Sequence, residues 1–274
     1  MSARFQLRIQ RYGWDKASAH YERLWGQQVA PAQRMALDMA DLQPGERVLD
    51  VACGPGSITF AAADLVGPRG SVLGSDLSGR MVDMARERGA AGGYANVAFE
   101  RMGAEDAGLE DASFDAALCS LGLMYTSDPV AALGRMRDAL RPGGRAVASV
   151  WGARAHCGWA DIFPIVDARV ESEVCPLFFQ LGTGDSLSRA FRDAGFEKVA
   201  LRRIQVQLDY DSAESAVGAA FAGGPVALAY SRFSDEVRVA AEQEYLHSIE
   251  PFRQGNGYSI PGEYVAVAGV RPGA

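Results

Sequence analysis

Apolar positions recur with two different periods along the chain, and the changes of period predict its elements. Between residues 12 and 40 they fall three and four apart, which predicts one long amphipathic helix. After a break at "LQPGE", short apolar runs alternate with helical stretches as far as Trp151. Short strands that alternate with helices predict an α/β protein with a doubly wound, mostly parallel sheet and helices on both faces.

The short apolar runs give the strand predictions in the first half of the chain: "RVLDVA", "GSVLGSD", "NVAFERM", "FDAALCSL" and "RAVASVW". A turn at "RPGG" is expected just before the last of these. In the final third, "EKVALRRIQVQLDY" alternates like a strand, and residues 212–222 and 225–249 have helical patterns. A strand around residues 265–270 is expected to close the sheet.

No internal repeat or low-complexity tract divides the chain, so one elaborated domain is expected. Residues 1–45 are predicted to form an N-terminal helical lid. The core is predicted over residues 46–274, with cap segments at about 152–185 and 210–256.

Composition and charge exclude several classes of protein. Of the 274 residues, 48% are apolar and 22% charged, which is ordinary for a globular domain. Acids outnumber bases by 34 to 27, a net charge of −7, so no nucleic-acid partner is expected. No apolar stretch approaches the roughly 20 residues of a membrane span, and the first residues lack the apolar core of a secretory signal.

Cysteine usage indicates a reducing compartment. Cys53, Cys119, Cys157 and Cys175 form no CxxC pair, which argues against a disulfide framework or a zinc site. No acid or histidine cluster has metal-ligand spacing either. We therefore predict a cytoplasmic protein without a metal.

The stretch "VLDVACGPG" carries the most informative chemistry. A glycine-rich turn between a strand and a helix lets the backbone approach a ligand and directs the helix N-terminus at it. Gly54 and Gly56 fit a dinucleotide fingerprint, but Thr59 stands where its third glycine would be. Asp50, just before the turn, would repel a pyrophosphate and attract an ammonium group. The ligand is therefore expected to carry a positive charge near the glycines.

A second acid follows at the end of the next strand. Asp76 lies 20 residues beyond Gly56, where a carboxylate can accept both hydroxyls of a ribose. We interpret it as an exposed strand-end acid that supports no core. Ammonium, carboxylate and ribose in one ligand indicate S-adenosyl-L-methionine (SAM).

With these motifs, the chain resembles the class I SAM-dependent methyltransferases of the small-molecule type, the methyltransferase type 11 group that includes the ubiquinone/menaquinone C-methyltransferases. "VLDVACGPG", "GSDLSGRM", "GAEDAGLEDASFD" and "LRPGG" match the family's motifs in order. The resemblance implies a seven-stranded, Rossmann-like methyltransferase fold. It also implies the cofactor contacts, which are Asp50, Ala52, Gly54, Gly56, Asp76, Leu77, Met81, Ala104, Glu105 and Ser120. In the family, the stretch that "GAEDAGLEDASFD" matches is the adenine loop, which reads the amino group of adenine. Where the family usually places an acid in this loop, this chain has Gly103.

The reacting end of the cofactor is expected near "SLGLMY", after the fourth strand. Quinone C-methyltransferases have a similar "FGLRN" stretch, but Met124 and Tyr125 replace its Arg-Asn pair, which weakens the analogy with ring methylation. Tyr125, His156 after the fifth strand, and Tyr21 on the N-terminal helix are the predicted catalytic residues.

The sequence thus predicts SAM-dependent methyl transfer to a small, apolar or aromatic molecule, mainly through positioning and exclusion of water. Two alternatives remain at this stage. A nicotinamide-dependent oxidoreductase is disfavoured by Asp50 and Thr59, and a non-catalytic SAM-binding protein is compatible with the same motifs. The acceptor atom and the oligomeric state stay open.

Overall fold

The structure, a computed structural model, describes residues 3–106, 112–170 and 178–273. Within these ranges one eight-stranded sheet forms the centre of the molecule. Its strands are β1 (Arg47–Val51), β2 (Ser71–Asp76), β3 (Val97–Arg101), β4 (Phe114–Ser120), β5 (Leu140–Trp151), β6 (Glu197–Tyr210), β7 (Arg253–Gln254) and β8 (Gly257–Val270).

The strand order is β3-β2-β1-β4-β5-β8-β6, and the short β7 pairs only with β8. Strands β1 to β5 pair in parallel, whereas β8 runs antiparallel between β5 and β6. The predicted doubly wound, mostly parallel sheet of seven strands is therefore confirmed for the main path, and the two-residue β7 is an addition that pairs with β8.

Helices flank the sheet. They are α1 (Ala3–Ala40), α2 (Ser57–Val66), α3 (Gly79–Ala91), α4 (Pro129–Ala139), α5 (Ile162–Asp167), α6 (Ser186–Asp193), α7 (Ala213–Phe221), α8 (Ala227–Tyr230) and α9 (Asp235–Ile249), with 3-10 turns at Leu123–Tyr125, Arg154–His156 and Glu250–Phe252.

Neighbouring residues of β1 show why this inner strand is rich in apolar residues. Val48 packs in one core cluster with Ile58 of α2, and Leu49 packs in another with Leu133 of α4. Because successive side chains of a strand point to opposite faces, both faces of the sheet are covered. The chain leaves β1 in one direction to β2 and β3, and returns to the other side of β1 as β4. This reversal opens a crevice at the carboxyl ends of β1 and β4.

Helix α1 begins earlier than predicted and combines two roles. It runs from Ala3, rather than from about residue 12, and it continues through Pro31. Its second half, including Trp25 and Met35, belongs to the main core cluster. Its first half crosses the crevice. The segment interpreted as a lid therefore includes residues on which the core depends.

Two element predictions are wrong in detail. The helix expected over 225–249 is divided into α8 and α9, because the Ser234 side chain accepts a hydrogen bond from Val237 N and starts a new helix. The turn expected at "RPGG" lies within the bounds of β5, where the pairing with β4 shifts register after Phe114. Part of the predicted cap over 152–185, with Cys175, lies outside the described residues.

None of the helices in the described ranges combines the length and apolar character that a membrane span requires.

Candidate functional site

A crevice of about 770 Å³ lies at the carboxyl ends of β1, β2 and β4. We call it the main crevice. The strand ends and the loops after them form its floor, and the first half of α1 forms its cover. Its lining comprises Gln10, Trp14, Tyr21, Ala52, Gly54, Asp76, Leu77, Met81, Met102, Gly103, Ala104, Glu105, Ser120, Leu121, Gly122, Tyr125 and Thr126.

The predicted glycine turn forms one wall of the main crevice. Gly54 has φ 55° and Gly56 has φ 87°, a backbone region that disfavours side chains. A Cβ at Gly56 would lie 2.8 Å from the Phe60 ring, so this glycine is needed for packing. Gly54 has no atom within 4 Å of such a position, which leaves its open side to a ligand. The turn therefore presents bare backbone to the crevice, as the sequence predicts.

Asp76 lines the crevice and also holds its walls together. Its Oδ2 accepts a hydrogen bond from Gly54 N at 2.9 Å, and its Oδ1 accepts one from Ser78 N at 2.8 Å. Burial raises the pKa of Asp76 to about 6 despite these two bonds, so the group is still mostly ionised at neutral pH. Its interpretation as an exposed acid without structural role is wrong, because it joins the glycine turn to the start of α3.

Asp50 is fully buried at the end of β1 and does not itself line the main crevice. Thr59 Oγ1 donates a hydrogen bond to Oδ2 at 2.5 Å, whereas Oδ1 has no partner in the part of the chain that the structure describes. Burial raises the pKa of Asp50 to about 7, and the Thr59 hydrogen bond opposes that rise. Thr59, which stands where the dinucleotide fingerprint has its third glycine, therefore stabilises the ionised form of Asp50.

The adenine loop supplies fewer free groups than predicted. Leu77, Met81, Ala104 and Glu105 all line the main crevice. The Glu105 carboxylate, however, already accepts hydrogen bonds from Ser127 Oγ at 3.0 Å and from Asp128 N at 2.9 Å.

Asp106, three residues after Gly103, places a carboxylate beside the position where the family usually has an acid. Gly103 N donates to the Asp106 carboxylate at 2.6 Å. A Cβ at Gly103 would lie 3.1 Å from that carboxylate. The loop thus has an acidic group beside this position, although from a residue that the motif comparison did not select.

Two smaller cavities adjoin the main crevice. The aromatic pocket, of about 330 Å³, is lined by Trp14, Tyr21, Trp25, Val29, Leu121, Met124, Tyr125, Trp151, Trp159, Phe178, Gly223, Gly224 and Pro225. The turn cleft, of about 380 Å³, is lined by Tyr21, Glu22, Gly26, Val29, Gln33, Ala52, Cys53, Gly54, Pro55, Ser57, Ile58 and Ser120.

Tyr21 lines all three cavities. Trp14 packs edge-to-face against Tyr21 with ring centroids 5.7 Å apart, and against Tyr125 at 5.0 Å. Burial raises the pKa of Tyr21 well above its usual value, with smaller contributions from the charges of Glu22 and Asp76. Its hydroxyl therefore stays protonated at neutral pH and acts as a hydrogen-bond donor.

Helix α1 is held over the main crevice by polar contacts at two places. The Ser78 hydroxyl donates to Asp15 Oδ1 at 2.6 Å, directly beside the backbone N–H that binds Asp76. Glu22 forms an ion pair with Arg88 of α3 at 2.9 Å. The first half of α1 therefore closes the crevice instead of packing on the back of the sheet. His20, which precedes Tyr21, is exposed.

The structure does not bring His156 to this site. Its side chain is half exposed, and Nδ1 lies 3.0 Å from Glu263 Oε1, a fully buried carboxylate of β8 that is also paired with Arg203. None of the three cavities is lined by His156. His156 is therefore not placed to act as a base on a substrate in these cavities. Its contact with Glu263 instead joins the segment after β5 to β8.

Several lining residues were not selected from the sequence as site residues. Met102 and Leu121 directly follow β3 and β4, so the rule that ligands bind at strand carboxyl ends could have found them. Gln10 and Trp14 depend on where α1 crosses the sheet. No local pattern in the sequence specifies that crossing.

Comparison with known proteins identifies the domain that contains this site. Residues 42–172 match the model of a methyltransferase domain family. Aklanonic acid methyltransferase of Streptomyces sp. strain C5 is 37% identical over 132 residues, 48% of this chain and 60% of that protein. Nocamycin O-methyltransferase of Saccharothrix syringae is 28% identical over 225 residues, 77% of this chain and 80% of that protein.

A solved structure shows the same fold. Phosphoethanolamine N-methyltransferase 2 of Haemonchus contortus, in complex with SAM, superposes with a TM-score of 0.63 and 18% identity over 99% of this chain and 60% of that chain. Fold and crevice thus define the class I methyltransferase architecture. The match to a methyltransferase domain over residues 42–172 confirms the resemblance seen in the motifs. The chain spans 60% of the first curated relative, less than two thirds of its length.

SAM is the cofactor of this family, and the residues present fit it. Asp76, Leu77 and Met81 line the main crevice, where the carboxylate would accept the hydroxyls of a ribose and the two apolar side chains would flank it. Asp50 contributes a buried acid with one unpartnered oxygen near the turn. Ser57 of the turn cleft starts α2, whose N-terminus suits a carboxylate. The described ranges contain no group of side chains suited to hold a metal ion.

Proposed function

We propose that this protein transfers the methyl group of SAM to a small, uncharged, apolar or aromatic molecule. The observation that carries the proposal is the meeting of three cavities at Tyr21. The main crevice has the ribose acceptor Asp76, the turn cleft has the helix N-terminus, and the aromatic pocket has the walls for an acceptor molecule.

We propose that the residues that bind SAM are Asp50, Ala52, Gly54, Gly56, Asp76, Leu77, Met81, Ala104, Glu105 and Ser120. The sulfonium of SAM supplies a methyl group that is already activated for transfer to a nucleophile. The protein's task is then to align the acceptor and exclude water, and positioning alone can lower a barrier by about 7–11 kcal/mol. A general base would add only about 10²- to 10⁴-fold.

Tyr21 and Tyr125 are the residues we assign to orientation of the acceptor. Both line the main crevice and the aromatic pocket. Because the pKa of Tyr21 is raised, its hydroxyl donates a hydrogen bond and does not act as a base. The Trp14 ring packs against both tyrosine rings. In this role it covers the place where the main crevice meets the aromatic pocket and excludes water from it.

We further propose a cytoplasmic location for this enzyme. Cys53, Cys119 and Cys157 are buried free thiols, which suits a reducing compartment.

A turnover assay tests the proposal. The full chain is incubated with SAM and a panel of naphthalenes that carry hydroxyl, amino or keto groups, and release of S-adenosylhomocysteine is measured. We expect acceptor-dependent release that Asp76→Ala strongly reduces at SAM concentrations near the wild-type Kd. Tight binding of SAM without release of S-adenosylhomocysteine in the presence of any acceptor would favour a non-catalytic SAM-binding protein instead.

A further inference from the structure

The first half of α1 places a buried glutamine against the main crevice. Gln10, Trp14 and Tyr21 all line this crevice. They follow one another at intervals of about one and two helical turns, so they lie on one face of α1. Gln10 is only 8% exposed, although glutamine is mostly a surface residue. A buried amide is costly unless it makes hydrogen bonds, so its place in the cover indicates a polar contact there.

The contacts of α1 place Gln10 at one end of the main crevice. Tyr21, about 16 Å further along the helix axis, lines the turn cleft as well. Between them, Asp15 accepts a hydrogen bond from the Ser78 hydroxyl at 2.6 Å. Ser78 N in turn donates to the proposed ribose acceptor, Asp76, at 2.8 Å. The order along α1 is therefore Gln10, then the level of Asp76, and then the turn cleft.

An elongated ligand has to follow this order. In the proposed function the amino-acid end of SAM lies in the turn cleft and its ribose lies at Asp76. The base then lies beyond Asp76, in the part of the main crevice that Gln10 lines together with Gly103 and Ala104. Within the described part of the chain, none of these three residues lines the turn cleft or the aromatic pocket. Gln10 therefore belongs to the base end of the crevice.

The acids at this end already accept hydrogen bonds from the protein. Glu105 accepts them from Ser127 Oγ and Asp128 N. Asp106 accepts one from Gly103 N. A glutamine amide differs from these carboxylates because it combines an acceptor oxygen with two N–H donors, and it can make several hydrogen bonds at once. Adenine presents an amino donor beside a ring-nitrogen acceptor, and a glutamine amide can pair with both.

We propose that Gln10 recognises the adenine base of the cofactor. Its side-chain oxygen accepts a hydrogen bond from the 6-amino group, and its amide N–H donates to the adjacent ring nitrogen. This inference rests on the proposed function and deepens it, because it adds a specificity-determining residue that lies in the cover and not at the strand ends. It also accounts for Gly103, since α1 then supplies the acceptor that the adenine loop lacks at this position.

The test compares two ligands that differ only at the 6-amino group. S-Adenosylhomocysteine carries this group, and its 6-deamino analogue has purine in place of adenine. Binding of each to the full chain is measured by calorimetric titration. We expect S-adenosylhomocysteine to bind at least about fivefold more tightly, because the analogue leaves the buried amide oxygen without its donor.

Variants of the full chain locate this preference. Gln10→Met keeps the length of the side chain but removes the amide, so both ligands are expected to bind equally, within about twofold. Gln10→Ala carries the same expectation and decides the question if Gln10→Met does not fold. Gln27→Met is the matched control, because Gln27 is an exposed glutamine of the same helix, and it keeps the preference. Asp106→Ala is expected to keep it as well.

Equal binding of both ligands to the wild-type chain, or a preference that survives the loss of the Gln10 amide, would overturn the proposal. A preference that survives in Gln10→Met but is lost in Asp106→Ala would assign the base to Asp106 instead. Failure of the proposed function gives a different result. A wild-type chain that binds neither ligand would contradict that function and this inference with it, whereas tight binding without preference would contradict this inference alone.

Discussion

The replacement Thr59→Val removes the hydrogen bond that supports the buried acid Asp50. Thr59 Oγ1 donates to Asp50 Oδ2 at 2.5 Å, and the other carboxylate oxygen has no partner among the described residues. Burial has already raised the pKa of Asp50 to about 7. Valine is similar in shape to threonine, so the main change is the loss of a donor to the ionised form.

The size of the effect follows from the hydrogen bond. A bond to an ionised group contributes about 1.5–3 kcal/mol, and one pKa unit corresponds to about 1.4 kcal/mol. Its loss therefore raises the pKa of Asp50 by about one to two units. In our account the ammonium group of the ligand needs the ionised carboxylate, so affinity is lost as the pH falls through this pKa. We expect Thr59→Val to weaken binding of S-adenosylhomocysteine by about 5- to 50-fold at pH 7 and by at most about twofold at pH 9.

The assay is calorimetric titration of both proteins with S-adenosylhomocysteine from pH 6 to pH 9. Titration of the ligand's own amino group affects both proteins alike and cancels in the ratio of their affinities. Thr59→Ser is the control, because it keeps the hydroxyl and should follow the wild-type profile. A loss of affinity that is equal at pH 7 and pH 9, or no loss at either pH, would refute this account of Asp50.

Three further changes test other parts of the site. Asp76→Ala should weaken S-adenosylhomocysteine by about 2–3 kcal/mol. It should also lower the urea midpoint of the ligand-free protein, because Gly54 N and Ser78 N lose their acceptor; unchanged stability would contradict that role. Deletion of residues 2–18 removes Trp14 and the Asp15 contact but keeps the buried second half of α1. We expect a folded chain with at least about tenfold weaker cofactor binding, and unchanged affinity by calorimetry would show that this half is no cover. Tyr21→Phe should leave cofactor affinity within about twofold and lower turnover roughly tenfold, whereas wild-type turnover would exclude Tyr21 from acceptor orientation.

The central sheet could be predicted because its determinants are local. Each parallel strand is a short apolar run bounded by turn residues, and "RVLDVA" needed no tertiary information to be recognised as β1. The long helix at the N-terminus was predicted from its period alone. Its division into a core half and a covering half was not, because apolar spacing is the same whether a helix packs on the sheet or over a ligand.

Several residues that line the main crevice were predictable for a similar reason. Residues at strand ends, such as Asp76 and Ser120, meet at one edge of the sheet whatever the rest of the chain does. His156 was misplaced because its position depends on a buried carboxylate more than 100 residues later, Glu263. The aromatic pocket likewise joins distant segments, from Trp14 to Pro225. No local pattern specifies which of these aromatic residues share a wall.

The most direct test of the account is whether the main crevice selects SAM-type ligands over nicotinamide nucleotides. The full chain is titrated calorimetrically with S-adenosylhomocysteine and, separately, with NADH. We expect a Kd on the order of 1 μM for S-adenosylhomocysteine, about 8 kcal/mol, and binding of NADH at least about 100-fold weaker. Binding of NADH as tight as that of S-adenosylhomocysteine, or no binding of S-adenosylhomocysteine, would contradict it.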